Sequence, residues 1–350
     1  MALALAPRIA IIWLNYNSMG NWDLAKRSLL SINECSVAET EIYVVDNAST
    51  DGSYERLVEL VSQRRLKGAR LIRSDVNVGY AGGNNAGYKH IGSSIKYMVL
   101  MNNDFIAVRG ALDQLISFLE DDPKIGAIHG KIVSLDAKRT DYGSRINEVL
   151  EDTAVRRNLN ATDVTYTPGC FSAYKLEAIR KVANNGFLFM PALFSYGDDD
   201  FLGLKLWEAG YKCISVDIMT GYHKGLGSFA GKMAFQHYLS NRAWLALLAA
   251  SNSRYRIFEL LTSGRLAIIG LMRAIMNRDP KELIFGVRAW IDGLRLGAQI
   301  VKERGRINIY AAPILRTSRM QAVFARFSQE STRLILRRHR KNMPSVVGSI

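Results

Sequence analysis

The sequence is 350 residues long and 48% hydrophobic, which is enough to bury a substantial core and excludes a wholly disordered chain. Its three cysteines, Cys35, Cys170 and Cys213, are odd in number and widely spaced. This argues against a disulfide framework and favours buried thiols in a reducing, cytoplasmic compartment. The formal net charge of +14 indicates an anionic partner, either nucleic acid or a membrane surface.

The chain begins without the basic segment of a secretory signal, and no uncharged apolar run reaches the roughly 20 residues that span a bilayer. We therefore expect neither a signal peptide nor a membrane-spanning segment. The length predicts two domains, or one domain with a large addition.

The first 123 residues alternate short apolar runs with segments of helical spacing. Helix-length segments between strands predict a mainly parallel sheet with right-handed crossovers, which is an α/β fold. The predicted strands are residues 9–14, 41–46, 69–72 and 97–101.

Residues 124–230 are less regular, with short strand candidates between loops. Helices are predicted at residues 175–183 and 200–209, the second ending at Gly210. We interpret this segment as the second half of the same domain, where an acceptor would bind, so that the domain covers residues 1–230.

Residues 231–350 are predicted to form a helical and basic region. They contain 21 Lys and Arg against 6 Asp and Glu, whereas residues 1–230 contain 25 against 26. Amphipathic basic helices are typical of attachment to an anionic membrane, but also of a packing or oligomerisation module with solvated arginines such as Arg265 and Arg273. Apolar residues recur at helical spacing in three sets, from Ile257 to Ile275, from Leu283 to Ala298 and from Met320 to Ile335.

Polar residues follow the second predicted strand, where ligands of open α/β sheets bind. Asp46 ends this strand, and its carboxylate could accept a hydrogen bond from a nucleobase N–H. The alternative is a helix N-cap formed by Ser49, Thr50 or Asp51, and for Asp51 we favour the cap.

The segment from Asn77 to Gly87 is rich in glycine and asparagine. It predicts a loop that leads into a helix, with close backbone approach and amide donors for a phosphate or sugar. A dinucleotide-binding loop would instead place glycines after the first strand, where Asn15-Tyr16-Asn17 stands. An ordinary tight loop is the alternative.

Two further groups contain candidate chemistry. Asp104, in Asn102-Asn103-Asp104, could hold Mg²⁺ or Mn²⁺ against a diphosphate, or simply form a turn at the strand end. Asp198-Asp199-Asp200 could begin a helix, with Asp200 as its cap, and one of these acids could be a general base. His223, followed by Gly225, Gly227 and Ser228, is the best-placed histidine, although single histidines are more often structural.

Together these motifs resemble the family 2 glycosyltransferases, which have the GT-A fold, over roughly residues 8–245. The likeness is greatest to the branch of rhamnosyl- and galactofuranosyl-type transferases. Each motif alone is weak, and their order and spacing make the resemblance specific. In chain order they are Asn15-Tyr16-Asn17, Val44 to Asp51, Asn77 to Gly87, Asn102-Asn103-Asp104, Gly169, Asp198-Asp199, Gly210-Tyr211, His223…Gly225…Ser228 and Tyr238…Asn241.

The resemblance implies an inverting transferase that moves a sugar from a UDP- or dTDP-sugar to a hydroxyl of a glycan or lipid-linked glycan, with Mg²⁺ or Mn²⁺. Residues 1–123 would bind the nucleotide sugar and residues 124–230 the acceptor. Such an enzyme would act in cell-surface polysaccharide or glycoconjugate synthesis, peripherally on the cytoplasmic face of the cell membrane.

The resemblance also implies residue roles. Asp104 and His223 would hold the metal, and Asp199 would be the catalytic base, with Asp198 as the substitute. The remaining implied residues bind the donor. Asn15, Asn17 and Asp46 would lie around the nucleobase, Asn77, Gly79, Gly83 and Asn85 along the cleft, and Asn103 beside the metal.

The sequence departs from the family pattern at two motifs. The D-x-D motif reads Asn102-Asn103-Asp104 and keeps only its last acid, so the identity of the metal is open. The usual Glu-Asp pair reads Asp198-Asp199, with a shorter first side chain.

Three other functions compete with this interpretation. A sugar nucleotidyltransferase would need a glycine-rich basic signature near the first strand, which is absent. A nucleic-acid-binding protein is disfavoured because the basic region contains few aromatic residues that look exposed and the first 230 residues are almost neutral, so no nucleic-acid partner is expected. An inactive scaffold is disfavoured because Asp104, Asp199 and His223 are all present.

Overall fold

The fold is built on a ten-stranded sheet. In the computed structural model, the described residues are 9–325 except 64, 65, 67, 156–160, 184 and 226–231. The main path of the sheet runs β10-β12-β6-β11-β4-β1-β2-β3, with β5 paired to β12 and β7 paired to β6. The strands are β1 (Ile9–Asn15), β2 (Thr40–Asp46), β3 (Ala69–Arg73), β4 (Tyr97–Asn102), β5 (Phe105–Ala107), β6 (Ile125–Ser134), β7 (Thr140–Asp141), β8 (Ser144–Ile146), β9 (Asp152–Ala154), β10 (Ala161–Asp163), β11 (Phe171–Lys175) and β12 (Lys212–His223). The β8–β9 pair forms a separate small sheet.

The first four strands are mutually parallel, in the order β3-β2-β1-β4. Strands β1, β2 and β4 are apolar runs, and their side chains are buried on both faces, as expected for a parallel sheet covered by helices. Helices α1 (Trp22–Cys35), α2 (Ser53–Ser62) and α4 (Ala111–Asp121) pack on one face, and α3 (Gly79–Tyr88) packs on the other. The predicted α/β fold with a mainly parallel sheet is confirmed.

The second half of the domain extends the same sheet. Strand β11 lies between β4 and β6 and is antiparallel to both, while β12 runs parallel to β6. Helices α5 (Leu176–Val182) and α6 (Asp198–Glu208) cover the face that α3 shares. Strand β12 continues to His223 and pairs there with β5.

Three helix starts differ from the sequence prediction. Gly52, with φ of 88°, takes the N-cap of α2, and Asp51 precedes it. Helix α3 begins at Gly79, so most of the predicted glycine-rich loop is helical. Helix α6 begins at Asp198 after Gly197, with φ of 73°, so Asp200 lies in the first turn instead of at the cap.

The helical C-terminal region begins with a helix that the periodicity did not predict, α7 (Met233–Ala250). The other helices are α8 (Arg256–Leu261), α9 (Arg265–Asn277), α10 (Lys281–Arg304) and α11 (Arg319–Val323). Helices α7 and α10 share a core cluster with α6, so this region packs directly on the α/β domain. The third predicted set is described only up to residue 325, and the rest of it lies outside the described residues.

Two arginines contradict the expectation of solvated basic side chains. Arg265 and Arg273 are buried in α9. Arg265 forms an ion pair with the buried carboxylate of Glu259, and its guanidinium lies 5.6 Å from the ring centroid of Trp244. These charges have partners inside the fold and do not face an external partner.

The expectation of buried thiols is confirmed, since all three cysteines are free and buried. None of the helices in the described part of the chain combines the length and the apolar character that a membrane-spanning helix requires.

Candidate active site

A buried hydrogen-bond network closes the carboxyl ends of β1 and β2. The Asn15 amide nitrogen donates to Asp46 Oδ1 at 2.9 Å and to Ser49 Oγ at 3.2 Å. The Asn15 amide oxygen accepts a hydrogen bond of 3.1 Å from the Asn103 amide, in the turn after β4. One side chain therefore fixes three chain segments at the same edge of the sheet.

Asp46 is a structural member of this network. Its carboxylate is fully buried, Oδ2 accepts a 3.0 Å hydrogen bond from the Ser49 N–H, and Arg73 Nε lies 3.8 Å from the same oxygen. In this arrangement the carboxylate has no accessible surface for the predicted contact with a nucleobase. Asn17 is exposed, and its side-chain oxygen accepts a 2.8 Å hydrogen bond from the Thr50 N–H.

An open cleft lies beside this network. Of the predicted donor-site residues, Asn17, Asn103 and Asp104 line it. The sequence interpretation missed Tyr16, Asn21 and Lys224, and the remaining lining residues are Ser18, Leu24 and Ala25. Lys224 donates a hydrogen bond to the Asn21 side-chain oxygen. Tyr16 belongs to the Asn15-Tyr16-Asn17 motif and Lys224 directly follows His223, so their positions in the sequence could have identified both residues. No sequence signal identifies Asn21.

The two predicted metal ligands are in contact, and Asp104 lines this cleft. His223 Nε2 is 3.0 Å from Asp104 Oδ1. The contact follows from the antiparallel pairing of β12 with β5, which sets His223 opposite Phe105, the residue after Asp104. The Lys224 N–H also donates to the Asp104 carbonyl at 3.1 Å.

Burial disfavours the charged form of His223, but interactions with Cys170 and with the Asp104 carboxylate outweigh it and raise the His223 pKa to about 11. A metal ion at this imidazole would therefore displace a proton. Among the described residues no three His, Cys, Asp or Glu side chains form a closed metal site. One carboxylate and one imidazole still fit a divalent ion such as Mn²⁺ whose other ligands are diphosphate oxygens and water.

The residues around the start of α3 fix the conformation of the backbone, and the Asn77 side-chain oxygen is already used in hydrogen bonds within the protein. Asn77 Oδ1 accepts hydrogen bonds from the Gly79 N–H at 2.9 Å and from the Asn47 amide at 3.0 Å. Gly79 has φ of 74°, and a Cβ there would lie 2.2 Å from the Phe194 carbonyl oxygen.

Gly83 and Asn85 lie in α3 and face the core, in contrast to their predicted place along the cleft. A Cβ on Gly83 would lie 2.5 Å from Leu14 Cδ1. The Asn85 side chain exchanges two hydrogen bonds with the Phe189 backbone, at 2.8 and 2.9 Å. Their small size and amide groups serve packing of α3 against the sheet and the segment before α6.

The predicted base lies at the amino end of β11. Asp199 Oδ2 accepts a 2.9 Å hydrogen bond from the Gly169 N–H, and Tyr80 Oη donates to the Gly169 carbonyl at 2.9 Å. Asp199 Oδ1 has no hydrogen-bond partner among the described residues. Because the next carbonyl, that of Cys170, accepts a 3.0 Å hydrogen bond from Asn102 N at the end of β4, the base and the Asp104 turn share one sheet edge.

Burial and mutual repulsion alter both acids at the start of α6. Burial raises the pKa of Asp198 to about 7, with nearby Asp200 adding to the shift. Burial also raises the pKa of Asp199 well above its usual range, and the Asp198 charge adds to this shift while the Gly169 N–H opposes it. The pair therefore retains a proton near neutral pH.

Comparison with known proteins agrees with this geometry. Residues 10–183, about half of the chain, match the family described as glycosyl transferase family 2. The chain belongs to glycosyltransferase family 2. No curated protein sequence matches this glycosyltransferase chain.

Solved glycosyltransferase structures share the fold. The crystal structure of GalNAc-T7 with UDP, GalNAc and Mn²⁺ is similar with a TM-score of 0.52 and 14% identity, covering 62% of this chain. The chain spans 43% of that protein, less than half of its length. The crystal structure of S. aureus TarS 1-349 is similar with a TM-score of 0.50 and 14% identity, covering 84% of this chain and 91% of that one.

The first prediction concerns Gly169. A Cβ added there would lie 1.9 Å from Tyr80 Oη and 2.7 Å from Asp199 Oδ1, so Gly169→Ala must displace both side chains. We expect the variant to lower the free energy of unfolding by about 1–3 kcal/mol, measured by denaturant titration. Gly20→Ala, where a Cβ meets open space, is the control and should change it by less than about 0.5 kcal/mol. Equal stabilities of the two variants would contradict the described close packing of Tyr80 and Asp199 against Gly169.

The second prediction concerns Asp198. Its pKa is raised by folding from 3.8 to about 7, so the folded state prefers the neutral carboxyl and loses stability as pH rises across this interval. Asp198→Asn removes that loss. We expect the variant to gain thermal stability over the unmodified enzyme between about pH 4 and pH 8, by about 2 °C or more.

The control for this measurement is Asp217→Asn, which neutralises a half-exposed carboxylate on β12. It should show no such gain. A stability difference for Asp198→Asn that does not change with pH would contradict the proposed burial of the acid.

Proposed function

We propose that this glycosyltransferase moves a hexosyl or deoxyhexosyl unit, with inversion, from a UDP- or dTDP-sugar to a hydroxyl of a glycan or lipid-linked glycan. The observation that supports this most strongly is that the Asp104–His223 pair and Asp199 lie at one sheet edge. Gly169, Cys170 and Asn102 connect them through adjacent backbone hydrogen bonds.

The donor binds in the cleft beside Asp104. Tyr16 offers an aromatic ring, and Asn17 and Asn103 offer amides. Lys224 provides a positive charge for the diphosphate. GalNAc-T7 was crystallised with UDP and Mn²⁺, which supports a uridine diphosphate donor and a divalent metal for a chain of the same fold.

A bound Mg²⁺ or Mn²⁺ would be held by Asp104 and His223. It would supply charge neutralisation for the departing diphosphate. The Asn102-Asn103-Asp104 motif retains only one acid. Lys224 lines the same cleft as Asp104 and adds a second positive charge beside the metal.

The acceptor hydroxyl binds to Asp199 Oδ1, a buried carboxylate oxygen that has no protein partner among the described residues and that becomes accessible in the proposed mechanism when the acceptor binds. Asp199 removes the hydroxyl proton as the acceptor oxygen attacks the anomeric carbon from the side opposite the diphosphate. One displacement inverts that carbon, and no sugar–enzyme bond forms. The pair retains a proton near neutral pH, and the proposed transfer requires the form in which Asp199 is ionised.

This activity belongs to cell-surface polysaccharide or glycoconjugate synthesis in the cytoplasm. The special likeness to rhamnosyl- and galactofuranosyl-type transferases, inferred from the motifs, stays a prediction about the donor sugar.

The third prediction tests the base. Asp199→Asn cannot accept the hydroxyl proton, so its turnover should fall by about 10²–10⁴, with donor affinity retained. The measurement is nucleotide diphosphate release together with titration of the donor. Asp200→Asn, one residue later in the same helical turn, is the matched control and should keep turnover. Near-normal turnover in Asp199→Asn would contradict the role of Asp199 as the base and would leave Asp198 as the candidate.

The fourth prediction tests the metal site. UDP with Mn²⁺ should raise the unfolding temperature of the unmodified chain more than UDP alone, because a ligand that binds the folded state stabilises it. Asp104→Ala should abolish this Mn²⁺-dependent increment, and Asp217→Ala should retain it. An unchanged increment in Asp104→Ala would remove Asp104 from the metal site.

A further inference from the structure

Helix α9 buries charged residues and exposes apolar ones, which is the reverse of a usual surface helix. Its buried face contains two arginines, Arg265 and Arg273, together with Leu266, Ile269 and Gly270. The positions at helical spacing on its outer face are all apolar and exposed, and Ile275 is 71% exposed. These outer residues are Ile268, Leu271, Met272, Ile275 and Met276. An ordinary amphipathic helix of a soluble domain shows the reverse pattern.

Buried partners fix this orientation. Arg265 pairs with Glu259, and Arg273 interacts with the buried Glu282 carboxylate, which also accepts a hydrogen bond from the His237 ring. Turning the helix to hide its apolar face would move the arginines outward and remove them from the buried carboxylates of Glu259 and Glu282, which is strongly unfavourable. The exposed apolar face is therefore a stable feature of the fold.

Apolar residues are exposed on the neighbouring helices as well. In α8, Ile257, Phe258 and Leu261 are exposed, Leu261 by 82%. At the start of α10, Leu283 and Ile284 are exposed. Exposed apolar residues therefore occur on three consecutive helices, in contrast to the single scattered apolar residues that are usual on a soluble surface.

Basic side chains occur in the same segment of the chain as these apolar residues. In residues 254–295, six basic residues lie outside the core against two acidic ones, Asp279 and Asp292. The six basic residues are Arg254, Arg256, Arg278, Lys281, Arg288 and Arg295. This excess of positive charge disfavours the docking of a second identical copy on this face, and it complements an anionic surface.

We propose that α8, α9 and the first turn of α10 form a docking face that inserts into the surface of an anionic lipid bilayer. Exposed apolar residues enter the boundary between headgroups and acyl chains, and the arginines and lysine contact the anionic headgroups. We call the residues Ile257 to Leu261, Ile268 to Met276 and Leu283 to Ile284 the docking face.

The docking face is connected to the acceptor side of the site. In α10, the Phe285 ring lies 6.0 Å from that of Phe235 in α7, which lies 6.4 Å from that of Phe194, four residues before Asp198. A membrane bound at this face would lie next to the segment that carries the proposed base. This part of the inference rests on the proposed function and favours the lipid-linked acceptor.

The test is flotation of the full-length protein with vesicles, without donor or acceptor, so that a negative result leaves the proposed transfer activity untouched. Vesicles of phosphatidylcholine with phosphatidylglycerol are compared with vesicles of phosphatidylcholine alone. The unmodified chain should float with the anionic vesicles and lose this binding as salt is raised.

Two sets of variants separate the apolar and basic contributions. Leu271→Glu with Ile275→Glu should reduce binding to anionic vesicles about tenfold or more. Arg278→Gln with Lys281→Gln should reduce binding to anionic vesicles and remove most of its salt dependence. Val37→Glu with Val76→Glu, at exposed positions of the α/β domain, is the matched control and should bind as the unmodified chain does.

Thermal unfolding of each variant checks that it is folded, which is expected because all substituted side chains are exposed. Absence of anionic-vesicle binding by the unmodified chain would overturn the proposal. So would binding that Leu271→Glu with Ile275→Glu leaves unchanged. A stable dimer that this double variant dissociates, with no vesicle binding, would assign the face to a second copy and also overturn it.

Discussion

The site depends on one buried amide, the side chain of Asn15. It donates to the Asp46 carboxylate and accepts from Asn103, and so connects the ends of β1, β2 and β4. A fully buried carboxylate is tolerated only when hydrogen bonds replace its water, and Asn15, Ser49 and Arg73 provide that environment. Because Asn103 precedes Asp104, the network that stabilises the buried charge also positions the proposed metal ligand.

The proposed acceptor side depends on a second constraint, the absence of a side chain at Gly169. Tyr80 and Asp199 approach its backbone from two helices, and the antiparallel insertion of β11 beside β4 brings this segment to the Asp104 turn. The burial that raises the pKa of Asp199 thus comes from the same close packing that positions it. In the proposed mechanism, a base with a raised pKa is a stronger proton acceptor once it is ionised.

The C-terminal helices illustrate where periodicity is insufficient. The spacing of apolar residues in α9 predicted an amphipathic helix correctly, but spacing cannot state which face is buried. Arg265 and Arg273 decide it, because Glu259 and Glu282 are buried beside them on other helices. Helix α7 was not predicted because it is apolar around much of its circumference, as a helix covered by α10 and α6 must be.

The sequence by itself determined the parallel strands, the α/β class and the family resemblance, and the resemblance predicted that Asp104 and His223 share a site. Strand ends and motif order are local properties that the chain shows without coordinates. Only the tertiary structure decided that Asp46 is buried and that Gly83 and Asn85 serve packing. It also decided that α9 turns its apolar side outward. These outcomes depend on which side chains meet across the sheet and between helices, and a linear pattern does not contain that information.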